Sequence, residues 1–318
     1  MSRLRVLLYH RIDERGPEQA VLNPDITTAS PAHFEWQLQH LARFYHPVSA
    51  TEVLAAVEGR HALPPRAVLL TFDDGYRDFR ELAWPLLKEY RMPAVLFVPT
   101  DFLDGGRRIF WADALWRMVK ETTHSRVFVP GLGIRPLATP RERLQTFREI
   151  VDWLKAGPPR GRTVGLARLG EVFGVQPEPT RAFLNWPEVR QLAADRVTIA
   201  GHSRTHERLD QLDKQALRTE IDGCRADLVR ELGGCAPLFA YPYGEANASA
   251  VQAVRDSGVA LGFTTVCGAS DLRNVHPGLI RRDDARAPMA RFVLRLCDPV
   301  SRLRTLRHRY PRQMRIAC

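Results

Sequence analysis

The chain has 318 residues, 45% of them hydrophobic, with a mean hydropathy of −0.26 and a formal net charge of +10. That length holds one large α/β domain or two smaller ones. No run approaches the roughly 20 apolar residues that span a bilayer, which argues against a helical membrane protein. In chain order, strand-like apolar runs alternate with helical patterns, the signature of a parallel α/β architecture. Val6–His10 reads as the first strand, and Pro31–Phe44 is predicted helical, with Ser30 as N-cap and Pro31 at its first position. Ala67–Thr71 reads as a strand, Tyr76–Tyr90 as a helix and Ala94–Pro99 as the next strand. Further on, Val197–Ala200 and Leu238–Tyr241 read as strands, separated by a helix over Lys214–Leu232 that ends at Gly233-Gly234. A helix over Ala248–Ser257, stopped by Gly258, leads to a strand at Leu261–Val266.

Between Asp104 and Thr180 the pattern changes. Helices are expected at Trp111–Lys120 and Arg141–Leu154, a hinge-like break at Gly157–Gly161, and no strand is evident. This stretch is expected to be a helical insertion over the mouth of a barrel, with Trp111, Trp116 and Trp153 read as local core rather than sugar platforms. The division expected is therefore a barrel over 1–290, with an insertion at about 104–180, and a basic tail over 291–318. From Arg291 onward the chain carries eight arginines and no lysine against one acid, Asp298. A solvated helix accounts for that charge; the functional reading is peripheral contact with anionic lipid headgroups or a lipid-linked glycan. No nucleic-acid-binding module is visible, so no nucleic-acid partner is expected. The five cysteines are odd in number, scattered and without CxxC spacing, which suggests reduced thiols. The first ten residues lack the apolar length and small-residue cleavage site of a signal peptide. Cytoplasmic residence is the expectation that follows.

The chemistry concentrates at Thr71-Phe72-Asp73-Asp74-Gly75-Tyr76, directly after an apolar run. Adjacent carboxylates at the end of a buried strand are costly unless a cation or donors meet them. A glycine there lets the backbone turn and aim both at one place. The partner expected lies downstream, in Gly201-His202-Ser203-Arg204-Thr205-His206. Histidines four residues apart share one helical face or one tight turn. One Asp and two His form a ligand set for a divalent metal with a position left for water. The second Asp is then left over as a base. Each motif alone has a plain explanation, a turn or a solvated helix end; together, each after an apolar run, they point to a metallohydrolase.

At these residues the chain resembles the polysaccharide deacetylases, the family four carbohydrate esterases. The resemblance is carried by Thr71–Gly75, His202–His206 and Phe239-Ala240-Tyr241-Pro242-Tyr243-Gly244, with weaker matches at Leu8-Tyr9-His10 and Leu279-Ile280-Arg281. It implies an α/β fold, a deformed (β/α) barrel of about seven strands with a helical insertion. It also implies removal of N-acetyl groups from a GlcNAc-type glycan or sugar precursor. On this resemblance Asp74, His202 and His206 would hold the metal, most naturally zinc. Asp73 would be the general base, and the backbone N–H of Tyr243 would meet the oxyanion. Two positions depart from the family pattern. The arginine that usually orients the base is replaced by Ala240, and the Leu-x-His element usual near the C-terminus is absent there. Leu8-Tyr9-His10 implies a circularly permuted order, similar to that of poly-N-acetylglucosamine deacetylases. His10 then serves as general acid and Arg281 orients Asp73. The plain readings are a buried structural histidine for His10 or a surface ion pair for Arg281 or Arg282, and His276 is the other candidate acid. A metal-dependent hydrolase of a non-carbohydrate amide, or an inactive glycan-binding relative, are the competing functions.

Overall fold

A computed structural model of the chain describes residues 3–157, 159–178 and 180–297. Six strands run parallel: Arg3–Tyr9, Ala67–Phe72, Ala94–Val98, Thr198–Gly201, Leu238–Ala240 and Leu261–Phe263. Each neighbours the next in chain order. A seventh segment spans the gap between the last and the first. Ile280 bridges Phe263, and Asp283–Asp284 pairs in parallel with Leu7 and Leu8. This is the curled α/β barrel expected, and its ring closes through residues 280–284.

The strands are apolar because both faces are buried. Every residue of Ala67–Phe72 and Ala94–Val98 is buried. Successive side chains point to opposite faces, so two cores result. Tyr9, Leu70, Phe72 and Leu96 meet the outer helices, where Tyr9 and Phe72 stack with ring centroids 4.9 Å apart. Val6, Leu69, Val95, Phe97 and Phe263 fill the interior. Helix Pro31–Phe44 starts as its sequence predicts, with Ser30 Oγ accepting the His33 N–H at 3.2 Å. Helix Lys214–Leu232 ends at Gly233, whose φ of 73° is left-handed. The helix predicted over Tyr76–Tyr90 is instead a π-type turn at Phe79–Ala83 followed by Trp84–Glu89. Pro85, which has no N–H, interrupts the ordinary register there.

The region 104–180 differs from its expectation in one respect. Helices Trp111–Glu121, Pro140–Ala156 and Pro159–Phe173 accompany an antiparallel hairpin, Arg126–Val129 with Gly133–Pro136. Val127 and Val129 face inward, whereas Arg126 and Phe128 are exposed. Two alternations are too few to read as a strand beforehand. These elements share a separate core, in which Trp116 meets Phe147 edge-on at 5.3 Å. Trp116 is core, as expected, and Trp111 and Trp153 pack against that core, Trp111 also lining the groove described below. A buried carboxylate fastens this region to the barrel: Asp113 accepts the Asn23 N–H and the Tyr76 hydroxyl, both at 2.8 Å. Nearby, Arg11 divides its guanidinium between Asp78 at 2.7 Å and Asp13 at 2.9 Å. Cys224, Cys235, Cys267 and Cys297 are free thiols. Among the described residues no helix is long and apolar enough to cross a membrane. The arginine-rich stretch from Asp298 onward lies outside the described residues.

Candidate metal centre and groove

Asp73 and Asp74 leave the end of strand Ala67–Phe72 in a turn whose Asp74 and Gly75 have φ of 75° and 69°. A side chain at Gly75 would begin 3.2 Å from Val98 Cγ1, so both its conformation and its space favour glycine. His202 leaves the end of Thr198–Gly201, and His206 returns through a tight turn rather than a helix. Ser203 Oγ accepts the His206 N–H across that turn at 3.0 Å. Asp74, Ser203, His206 and Tyr243 are four of the seven non-glycine residues with left-handed backbone among those described. Such strain gathers where a site over-determines the chain.

The two imidazoles converge on one oxygen. Asp74 Oδ1 lies 3.2 Å from His206 Nε2 and 3.4 Å from His202 Nε2. His202 Nδ1 donates to the Ala240 carbonyl at 2.7 Å, because a carbonyl can only accept. That bond fixes the tautomer and turns the Nε2 lone pair toward Asp74. His206 is held between the rings of Phe110 and Tyr243, each 4.9 Å away. Asp74 Oδ1 is buried without a hydrogen-bond partner. The ligand atoms of Asp74, His202 and His206 all lie within 4.8 Å of one another. An orphaned carboxylate oxygen facing imidazole nitrogens is a donor set that fits a divalent cation. Burial alone would raise the Asp74 carboxyl, but the nearness of His202 and His206 outweighs it and holds it well below the usual range. Burial lowers His206, while for His202 the pull of Asp73 and Asp74 overcomes burial and raises it.

Asp73 stands beside this trio, with Oδ2 4.0 Å from His202 Nε2. The arginine that grips it is Arg282, not Arg281 as expected. Arg282 Nη1 and Nη2 donate to Asp73 Oδ1 and Oδ2, both at 2.7 Å, and its Nε donates to the Thr264 carbonyl at 2.9 Å. Neighbours on an extended segment face opposite ways. Arg282 enters the barrel, fully buried, and Arg281 turns aside to donate to the Cys267 carbonyl at 2.9 Å. Burial would raise the Asp73 carboxyl, but Arg282 outweighs it and keeps the group lowered and ionised.

A groove of about 850 Å³ opens over these residues, lined among others by His10, Trp111, Arg148, Tyr243, Thr265 and Arg286. His10 directly follows the first strand and lines this groove together with Asp73 and Asp74. His276 does not line it; its Nδ1 accepts the Gly278 N–H at 3.1 Å. Tyr243 sits in the left-handed region at φ 60°, with Gly244 packed so tightly that a Cβ would come 2.1 Å from Thr265 Oγ1. The Tyr243 hydroxyl accepts Trp111 Nε1–H at 2.9 Å, tying the region 104–180 to the barrel turn. Arg148 pairs with Asp25 at 2.7 Å on the rim. Sequence reasoning missed Arg282 by one position and did not anticipate Trp111 or Arg148; only the Arg281-Arg282 doublet carried a signal.

The polysaccharide deacetylase family profile matches residues 60–126 and 170–262. Poly-beta-1,6-N-acetyl-D-glucosamine N-deacetylase of Escherichia coli K12 is 25% identical over 296 residues, covering 90% of this chain and 38% of that protein. The chain thus spans well under half the length of that relative. Among solved structures, Streptococcus pyogenes deacetylase PplD in complex with acetate superposes with a TM-score of 0.62 at 20% identity, covering 93% of this chain and 99% of that one. A de-N-acetylase from Aggregatibacter actinomycetemcomitans gives 0.59 at 18% identity, with 93% and 100% covered. Identities this low speak for the fold alone. The profile takes in half of the chain, with Asp73, Asp74, His202 and His206 inside it, and on that ground the chain belongs to the polysaccharide deacetylase family.

Proposed function

We propose that this chain is a metal-dependent hydrolase that removes N-acetyl groups from a carbohydrate, a GlcNAc-type glycan or a biosynthetic sugar precursor. The observation that carries the reading is the orphaned Asp74 Oδ1 between two imidazoles, next to a carboxylate held by a buried arginine. The substrate class is supported by the likeness to the Escherichia coli enzyme, which acts on an N-acetylglucosamine polymer by its name.

Asp74, His202 and His206 would hold the ion, and one carboxylate with two imidazoles suits zinc. When bound, such an ion supplies a Lewis acid for the amide carbonyl and lowers the pKa of water. Asp73 acts as general base toward the attacking water, since it is ionised and adjoins the ligand set. Arg282 fixes the plane of that carboxylate and keeps it charged, at some cost in basicity. His10 faces the same centre from the first strand and donates a proton to the departing amine. The Tyr243 turn, strained and fixed by Gly244, presents its backbone N–H to the developing oxyanion.

The test is acetate release by the purified chain from a panel of N-acetylated sugars, nucleotide- or lipid-linked precursors and polymers. Activity abolished by a chelator, restored by zinc and lost in Asp73→Asn is expected. A zinc-loaded protein that releases no acetate from any member would overturn the reading.

A further inference from the structure

Helix Lys214–Leu232 carries a feature that the reaction above leaves unused. Glu220, Gly223, Cys224 and Asp227 recur at helical spacing, so they share one face. That face lies against the turn between the two imidazoles. Glu220 is 8% exposed and its carboxylate accepts three hydrogen bonds from that turn. Oε2 takes the backbone N–H groups of Arg204 at 2.9 Å and Thr205 at 2.8 Å, and Oε1 takes the Thr205 hydroxyl at 2.6 Å. Gly223 leaves room for the Arg204 side chain, whose Cδ would stand 2.5 Å from any Cβ there. That explains a glycine in a helix interior, where it is otherwise unfavourable. Asp227 Oδ2 completes the face, accepting Arg204 Nε at 3.3 Å and the Thr100 hydroxyl at 2.9 Å.

Charge-assisted bonds to consecutive backbone amides are strong and directional. Here they hold the link between Ser203 and His206, whose φ of 62° and 60° place both in the left-handed region. Such a backbone persists only where its surroundings over-determine it. Without Glu220 the turn keeps the Ser203 Oγ bond and the bonds that the Ser203 and Arg204 carbonyls accept from the Thr100 and Asp101 N–H groups at 3.2 and 3.0 Å. The Arg204 and Thr205 N–H groups next to His206, however, lose their acceptor.

We infer that Glu220 is a positioning residue for the metal centre: through the Arg204-Thr205 backbone it sets where His206 Nε2 stands relative to His202 and Asp74. The inference rests on the metal reading above. It makes zinc affinity depend on a carboxylate that touches no ligand atom, as outer partners of metal ligands commonly do.

The experiment is competition for zinc between a chromogenic chelator and the full chain. Glu220→Gln turns one acceptor into a donor facing donors, and an affinity roughly 10- to 100-fold weaker is expected. Thr205→Val removes only the hydroxyl bond and should weaken zinc by a smaller factor. Glu231→Gln, on the same helix but bonded to Arg190 and Arg230 at the surface, should leave affinity unchanged. Wild-type affinity in Glu220→Gln, or an equal loss in Glu231→Gln, overturns the inference. If Glu220→Gln does not fold, unchanged affinity in Thr205→Val does the same. A wild-type chain that binds no zinc overturns the metal reading itself, which separates the two failures.

Discussion

Two sets of buried carboxylates in this molecule have opposite fates. Asp73 and Asp74, under the groove, are held below the usual range. Asp113 and Asp78, where residues 104–180 and the N-terminal loop meet the barrel, are pushed up to about 6. All four are buried or nearly so, and burial alone raises every one of them. What differs is the company. Asp73 receives both terminal nitrogens of Arg282, and Asp74 has two imidazoles. Asp113 has only the neutral donors of Tyr76 and Asn23, and Asp78 shares Arg11 with Asp13. A buried carboxylate is thus held low where close nitrogen partners are committed to it, and this chain commits them at the floor of the groove.

The largest effect should come from breaking that commitment. Arg282→Met strands Asp73 as a buried charge, and chemical denaturation should show a loss of about 3–5 kcal/mol. Adding Asp73→Asn to it should recover much of the stability while turnover stays low. If the single variant is as stable as wild type, the pair does not govern the state of Asp73. Next, His10→Ala should lower turnover by roughly two to four orders of magnitude, with His276→Ala near neutral. The reverse pattern would move the general acid to His276.

The carboxylate at the seam gives a smaller, pH-dependent effect of opposite sign. The folded protein binds the Asp113 proton more tightly than the unfolded chain, whose carboxyl titrates near the ordinary value of about 4. The stability it contributes is therefore present below about pH 4 and is lost as pH rises through about 6. Asp113→Asn keeps a side chain that can meet Asn23 and Tyr76. It should match wild type at pH 4 and exceed it at pH 8 by roughly 1–3 kcal/mol. Equal melting curves at both pH values would show that Asp113 is ionised at no cost. Smallest of all, Arg148→Ala opens an exposed pair with Asp25, and denaturation should register about 0–1 kcal/mol.

Much of the centre was legible because the chemistry demands particular residue types at the ends of apolar runs. Asp73, Asp74, His202 and His206 announce themselves in that way, and parallel strands buried on both faces stand out as apolar blocks. Arg282 was misplaced by one residue for a physical reason. Register is read from alternation, and a pairing of two residues at Asp283–Asp284 offers none. The hairpin Arg126–Pro136 failed similarly, with only Val127 and Val129 alternating inward. Glu220 was out of reach altogether. A glutamate on a helix of mixed polarity reads as solvated, and only the fold shows that its face meets the turn between the histidines.

The way the ring closes has a consequence for how the protein comes into being. Because neighbouring strands follow one another in the chain, most of the sheet can assemble progressively as it leaves the ribosome. The seam cannot. Leu8 must wait for Asp284, and Asp73 for Arg282, 209 residues later. Contacts so distant in sequence form late, since their loop entropy is met only when the rest is in place. The event that completes the barrel is therefore the same event that supplies the counter-charge of the proposed base. A nascent chain carries all the groups proposed to hold the metal before it carries the arginine that readies its neighbour, so the proposed hydrolytic competence arrives last, with the final wall.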